Sequence, residues 1–600
     1  MVSNLHFNPE DVVGKECKSV AYSTDAEKQN DLVVIKEVVH TKDGRQIPRL
    51  VMRENVKRPI FVTREGPSFR NHQEKKEFEL REKCVEYHTT DVKMSQTIQM
   101  ALGHNFPNPK LSLKMACRSP FVYWADLPVT SWIKQKYKEK YPNAQSLNRS
   151  CVFDVETKED DGSKRMEMVS FVCDKEIHFF AHAEYFDRIK GGHEAIEKKT
   201  IELLSRVPFT KNKKGKKLPK GQIEYRDLIK ENGYELFVHR CATPAQCIVA
   251  MFHEVHRLLP DLLVAWNIDY DLTIMMKELD AEGIPYEDVF CHPDVPHKYR
   301  NVWYKRDQAS KKTESKTLTK SPADQWHVLY CQASFYAVDA MCLFKKIRTH
   351  EGNRPTYRLS AILETEVGVG KLDIPGLEYK DNVDWHIQAQ RDFPLEYCAY
   401  NIMDNLLIVL LDEQTNDLSS ALTILSGVSM YDIFPSLPKR ICNEFTYFLW
   451  EQGLVIGSVG NAIKNDFDEE VIGTDGWIVT LPAHMNAENG LHVVKEVPSL
   501  LTAFRGQTAD ADLTQAYPSC TNMANQSRET TIIELISIEG VSEEVRRRAG
   551  VNLTAGRVNA MEIANELFLM PDKDVVLEAF LKRMNAANEE VVTTIDEEAA

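Results

Sequence analysis

A carboxylate set into an apolar run confines a fold strongly, because burying a charge without a partner is costly. This chain of 600 residues has three segments of that kind. Arg149-Ser-Cys-Val-Phe-Asp154-Val-Glu156-Thr reads as a short buried strand, an apolar run bounded by basic and polar residues. Side chains at i and i+2 share a strand face, so Asp154 and Glu156 project together. Two anions that close repel unless cations sit between them, and hard divalent ions prefer oxygen ligands. A solvated acidic strand end is the ordinary alternative.

The second segment follows another buried strand, Asp261-Leu-Leu-Val-Ala-Trp266. The chain is expected to turn at Asn267-Ile-Asp-Tyr-Asp271 and to enter a helix over Leu272–Leu279. An aspartate there could cap the helix, yet a strand feeding a helix through a polar turn is also where α/β folds place their sites. In the third segment the run from Glu396 through Tyr400 and Asp404 into Leu-Leu-Ile-Val-Leu-Leu reads as one long helix. Tyr400 and Asp404, four apart, face the same way. Asp404 then needs a partner, which a metal ion or a salt-bridged helix face would supply.

Taken in order, the three segments resemble the 3′→5′ proofreading domains of family B DNA polymerases. The shared motifs are Asp-x-Glu, then Asn followed by Tyr-Asp, then Tyr-x-x-x-Asp. The stretch Tyr336-Ala-Val-Asp339 through Phe344-Lys-Lys, with Tyr357-Arg-Leu-Ser-Ala-Ile-Leu and Gly370-Lys-Leu, is similar to the segment before the third motif in T-even-type phage polymerases. The resemblance implies a ribonuclease-H-like mixed sheet with flanking helices and a site for two Mg2+ ions, with Mn2+ able to substitute. It implies that Asp154 touches both ions, that Glu156 and Asp404 complete the site of the ion that activates water, and that Asp271 holds the second. Tyr400 would orient the attacking water or the scissile phosphate, while Asn267 and Tyr270 would contact a frayed, single-stranded DNA 3′ end.

A fourth segment, Asp512-Leu513-Thr-Gln-Ala-Tyr517-Pro518-Ser519, resembles the first palm motif of the same family. There Asp512 would bind catalytic ions, and Leu513 and Tyr517 would contact the incoming dNTP. Gln515 and Ala516 depart from the family's Ser-Leu. The fingers motif Lys-x-x-x-Asn-Ser and the palm hairpin Asp-Thr-Asp do not follow; Asp572-Lys-Asp574 reads as a helix start after Pro571. A two-metal transfer cannot be held by Asp512 alone. The chain is therefore expected to be a DNA-directed DNA polymerase subunit, acting on a DNA primer-template, that synthesises only with a second polymerase subunit. A truncated gene product is the other explanation. The alternative functions are a stand-alone 3′→5′ DNA exonuclease and a non-catalytic DNA-binding scaffold derived from a polymerase.

The expected fold is an α/β (α+β) multidomain one: an N-terminal domain over residues 1–145, the exonuclease domain over 146–415, and the incomplete start of a polymerase palm and fingers over 416–600. A composition of 43% hydrophobic and 27% charged residues is that of an ordinary globular chain. No apolar run is long enough to span a membrane, and the first residues lack signal-peptide features. The resemblance places the chain in the cytoplasm of an infected bacterial cell. The 13 cysteines lack Cys-x-x-Cys spacing and read as reduced thiols. A net charge of −15 leaves DNA contact to local basic patches. Lys211–Lys220 and Lys311–Lys320 are the obvious ones, each read as an inserted loop that is solvated or touches phosphates.

Overall fold

In a computed structural model, residues 8–63, 78–160, 162–312, 317–349, 352–419 and 446–458 are described. The chain is mixed α/β and divides into two compact units. The first takes in the chain up to Pro59, His88–Met94 and Leu127–Gln452. Among the described residues, the second takes in those of Ile60–Tyr87, Ser95–Asp126 and residues 453–458. Within the second, Phe61 and Val62 pair antiparallel with Tyr123 and Val122, and Phe78–Leu80 pairs with Leu454–Ile456. Among the described residues no helix is long and apolar enough to cross a membrane.

The first unit opens with an antiparallel meander of β1 (Val12–Thr24), β2 (Asp31–Thr41) and β3 (Gln46–Glu54), followed by the lysine-rich helix α1 (Val129–Lys140). Its main element is a six-stranded mixed sheet of β4 (Ser150–Thr157), β5 (Met166–Cys173), β6 (Glu176–His182), β7 (Glu235–Cys241), β8 (Leu262–Ala265) and β9 (Tyr336–Asp339). The spatial order is β7-β6-β5-β4-β8-β9. β4, β5 and β6 run antiparallel in succession; β8 lies parallel to β4, β9 parallel to β8, and β7 parallel to β6. Every residue of β5 is buried, as expected of an inner strand covered on both faces.

Strand alternation sorts the two cores. Val152 faces a core built with α8 (Pro394–Thr415), whereas Cys151, Phe153 and Val155 face one built with α3 (Pro244–Leu258) and α4 (Ile268–Glu282). Asp154 and Glu156 have the parity of Val152, so they point at α8. The β4–β5 register shifts between Glu156 and Thr157, passing over Glu167. Such irregularities re-aim side chains at strand ends. The carboxyl group of Glu167 is instead taken up by His182 Nε2 at 3.0 Å and Arg188 at 3.2 Å.

One expected boundary moves. The helix expected over Leu272–Leu279 begins at Ile268, with Asn267 at its N-cap, so Asp269, Tyr270 and Asp271 lie in the first turn rather than in a turn before it. Two carboxylates there suit the positive end of the helix dipole. No side chain of Asn267 caps the helix. Instead Asp339 Oδ2, at the end of β9, accepts the Ile268 N–H at 3.0 Å, and its Oδ1 accepts the Cys342 N–H at 2.8 Å, capping α5 (Ala340–Ile347). One buried carboxylate thus fixes the starts of two helices beside the site.

The meander is joined to the sheet through a buried ion pair. Lys36 of β2 is wholly buried; its ammonium lies 3.0 Å from Asp261 Oδ1 and donates to the Leu259 carbonyl. Asp261 Oδ2 in turn accepts the Arg149 N–H at 2.9 Å, at the entry to β4. Removing one member of a buried pair strands the other charge, which costs about 3–5 kcal/mol. Lys36→Ala is therefore expected to lower unfolding free energy by about that much in urea titration, whereas the double change Lys36→Met with Asp261→Leu costs less, because no lone charge is left. Equal losses in the two variants would rule out the pair as the cause.

Candidate functional site

Helix α8 crosses the Asp154–Glu156 face and presents Tyr397, Tyr400, Asn401 and Asp404 at i, i+3, i+4 and i+7 spacing, one continuous stripe. All four are buried, in a helix started by Pro394 at its first turn. The packing brings one oxygen each of Asp154, Glu156 and Asp404 within 4.8 Å of one another. Segments some 250 positions apart in sequence thereby form one acidic cluster that can hold a metal ion. Asp271, from the first turn of α4, stands outside that trio: its Oδ1 accepts the Val155 N–H at 3.2 Å, between the two β4 carboxylates. It lines the same cavity of about 340 Å³, together with Asn267 and Tyr270.

Neutral and cationic donors surround the acids. Asn401 Nδ2 donates to Asp154 Oδ2 at 2.8 Å and to the Asp154 carbonyl at 3.1 Å. The Tyr397 hydroxyl donates to Glu156 Oε2, and Gln390 Nε2 donates to Tyr397 at 3.1 Å and to the Thr157 carbonyl at 2.7 Å. Lys371, outside any helix or strand, donates from Nζ to Asp404 Oδ2 at 2.5 Å and to the Tyr400 hydroxyl at 2.7 Å. The Tyr397 and Tyr400 rings stack 5.7 Å apart, and Trp385 lies 4.8 Å from Tyr400. Tyr270, about a third exposed, hydrogen-bonds Thr157 through its hydroxyl at 2.7 Å.

Electrostatics at the cluster follow from burial first and mutual repulsion second. Burial, then the Asp404 charge, pushes the Asp154 carboxyl up to about 7. Glu156 and Asp271 are raised well above the ordinary carboxylate range by burial, and each is raised further by Asp154. Burial alone would pull the Lys371 ammonium down, but Asp404, Asp154 and Glu156 outweigh it and leave it above its ordinary value. Burial and then Asp404 raise the Tyr400 phenol far above its ordinary value, so it stays protonated. Burial lowers His386, beside Glu156, to about 4, and Lys371 adds to the effect. An oxygen-only set of anions pressed together, with Asp404 Oδ1 buried and lacking a hydrogen-bond donor, suits a hard divalent cation.

Of the residues expected from sequence, Asp154, Glu156, Asp271, Asn267, Tyr270, Tyr400 and Asp404 all line the one cavity. Asp512, Leu513 and Tyr517 lie outside the described residues, as does most of the segment 416–600. Tyr397, Asn401, Gln390 and Lys371 were not singled out as site residues. The first two carried a usable signal, since they repeat the i, i+4 spacing of Tyr400 and Asp404 one helical step earlier. A wider groove of about 980 Å³ shares Trp266, Asn267, Lys371, His386 and Tyr400 with the cavity and adds Arg354 and Arg358. Compared with known proteins, the chain matches no family model and no curated protein sequence.

An acid whose value is raised on folding favours the folded state below its unfolded-state value and ceases to do so as pH climbs through the folded one. For Asp154 that window runs from the ordinary 3.8 to about 7. Without metal the protein is expected to lose thermal stability across this window. Saturating Mg2+ or Mn2+ should raise Tm more at about pH 8 than at about pH 6, because protons and metal compete for the same oxygens. Asp404→Asn is expected to remove most of the metal response. Thermal unfolding followed by circular dichroism checks this, and a Tm indifferent to divalent ions at both pH values would refute it.

Proposed function

We propose that the chain is a metal-dependent 3′→5′ exonuclease of the proofreading kind, within a family B-type DNA polymerase subunit whose remaining polymerase motifs come from another chain. The observation that carries this reading is the meeting of Asp154 and Glu156 from one strand face with Tyr400 and Asp404 from one helix stripe, beside Asp271. The mixed sheet with helices on both faces supports the ribonuclease-H-like part of it. The polymerase part rests on Asp512 and Tyr517 in the sequence alone.

Two divalent ions would supply Lewis-acid charge and an activated water at neutral pH. Asp154, Glu156 and Asp404 would hold one, and Asp154 with Asp271 the other. Asn401 keeps Asp154 turned toward α8, and Tyr397 does the same for Glu156. Tyr400 keeps its proton and serves as a hydrogen-bond donor that orients water or phosphate, not as a base. Lys371 supplies positive charge next to Tyr400, where an anionic phosphate would approach. The groove beyond, with Trp266 and the exposed Arg358, would offer an aromatic face and a phosphate partner to an unpaired 3′ end. A base-paired terminus would have to fray first, which makes a mismatched end the preferred substrate.

The test is degradation of 5′-labelled single-stranded and 3′-mismatched DNA with Mg2+. The wild-type chain is expected to shorten both from the 3′ end and to stop when the metal is chelated. Asp154→Ala with Glu156→Ala should lower the rate about a thousandfold or more, and Tyr400→Phe about 10- to 100-fold, with little change in substrate KM. Added dNTPs should give no extension without a complementing chain. A folded, DNA-binding wild-type protein that leaves the 3′ end intact with either Mg2+ or Mn2+ would overturn the reading.

A further inference from the structure

The basic run Lys211–Lys220 is built as a hairpin rather than a loose loop. Leu218 N donates to the Thr210 carbonyl at 2.9 Å and Asn212 N to the Lys216 carbonyl at 2.9 Å, while Asn212 Oδ1 accepts from the backbone of Lys214 and Lys216 at 3.0 Å each. Its outer end is tied to α8 through Gln414 Nε2, which donates to the Lys213 carbonyl at 3.1 Å. Its base is tied down by Arg226, which donates to the Lys211 carbonyl at 2.6 Å.

The half-buried Lys211 turns its charge back onto the protein. Its ammonium donates to the carbonyls of Thr365 and, at 3.0 Å, Glu366, in the last turn of α6 (Leu359–Glu366), a turn with no basic residue of its own. Free carbonyls at a helix C-terminus carry partial negative charge, so a lysine from another element satisfies them. Just beyond, the Gly368 carbonyl accepts both the N–H of Thr210 at 2.7 Å and its hydroxyl at 3.0 Å. Gly368 has φ +79°, and a Cβ there would lie 2.6 Å from Lys211 Cγ and 2.8 Å from Lys211 N. The hairpin therefore leaves no room for a side chain at Gly368.

Three residues after Gly368 comes Lys371, whose ammonium reaches Tyr400 and Asp404. The segment between belongs to no helix or strand, so no ladder of its own fixes it. We propose that the 210–218 hairpin is a positioning clamp. By holding Gly368 against Thr210 and Lys211, it sets where Lys371 delivers its charge, and so how strongly the acidic cluster is neutralised before a metal ion arrives. Thr210 and Lys211 are positioning residues that act through Lys371, and the lysine-rich run is not a DNA-binding patch at that position. For turnover the inference rests on the nuclease reading above; for ion affinity it rests on the cluster alone.

The test measures Mn2+ affinity of the full chain by electron paramagnetic resonance, beside Mg2+-dependent trimming of DNA. Lys371→Met should bind Mn2+ about tenfold tighter, because a competing cation beside Asp404 is gone. Lys211→Ala and the milder Thr210→Val should move affinity the same way, by about threefold, and lower kcat without raising KM. Lys211→Arg, able to reach the same carbonyls, should restore wild-type behaviour. In a Lys371→Met background neither hairpin change should add anything. An unchanged Mn2+ affinity in folded Lys211→Ala and Thr210→Val, or a shift that persists undiminished without Lys371, would overturn the clamp, as would a wild-type chain that binds no Mn2+. Failure of the nuclease reading shows separately, as wild-type protein that binds Mn2+ but does not trim DNA.

Discussion

Repulsion among buried carboxylates organises the centre of this protein. At spacings within 4.8 Å, each pair of full charges would repel by about 3–4 kcal/mol even at an effective dielectric constant of about 20. The fold tolerates that because it surrounds the acids with donors instead of acceptors. Asn401, Tyr397 and Lys371 each hold one carboxylate, and the Val155 N–H holds Asp271. Burial first, and the Asp404 charge second, push the Asp154 carboxyl up to about 7. A metal ion would offset the remaining repulsion.

The surrounding architecture serves that balance. A strand face is rigid and spaces Asp154 and Glu156 by its pleat. A long helix laid across it brings four polar side chains into the same space at fixed intervals. Asp339 fixes the start of α4, and hence Asp271, through one carboxylate that also begins α5. The residues behind the carboxylates are polar too, with Asn401, Tyr397 and Gln390 buried and Lys371 and His386 partly so. Gln390 and His386 extend the network behind Tyr397, while Asp404 Oδ1 is left buried without a donor, a position in the network that a cation would fill.

Much of this was legible in the residues. Asp154 and Glu156 on one face, Tyr400 and Asp404 on one helix stripe, and a strand-to-helix junction at Asn267 follow from periods of two and 3.6 alone. The start of α4 was misplaced by four residues because Asn267-Ile-Asp-Tyr-Asp271 is polar and reads as a turn, although acidic residues also favour a helix's first turn. The Lys211 run reads from sequence as a loop that is solvated or touches phosphates, for a related reason. Charge in sequence does not reveal whether a lysine ends in water or on the carbonyls of a helix 150 positions away.

What the sequence determined by itself was the chemistry available and its local placing: oxygen ligands without sulfur partners, paired by strand and helix spacing. Only the tertiary structure decided which of these meet. It selected Asp154, Glu156 and Asp404 as the close trio and set Asp271 to one side. It brought Tyr397, Asn401 and Lys371 in as partners, since their contacts depend on which sheet face α8 covers and on where the chain returns after α6. Local periodicity propagates along an element, but contacts between elements arise from packing. No repeat in the chain encodes that a lysine 33 residues before Asp404 will neutralise it.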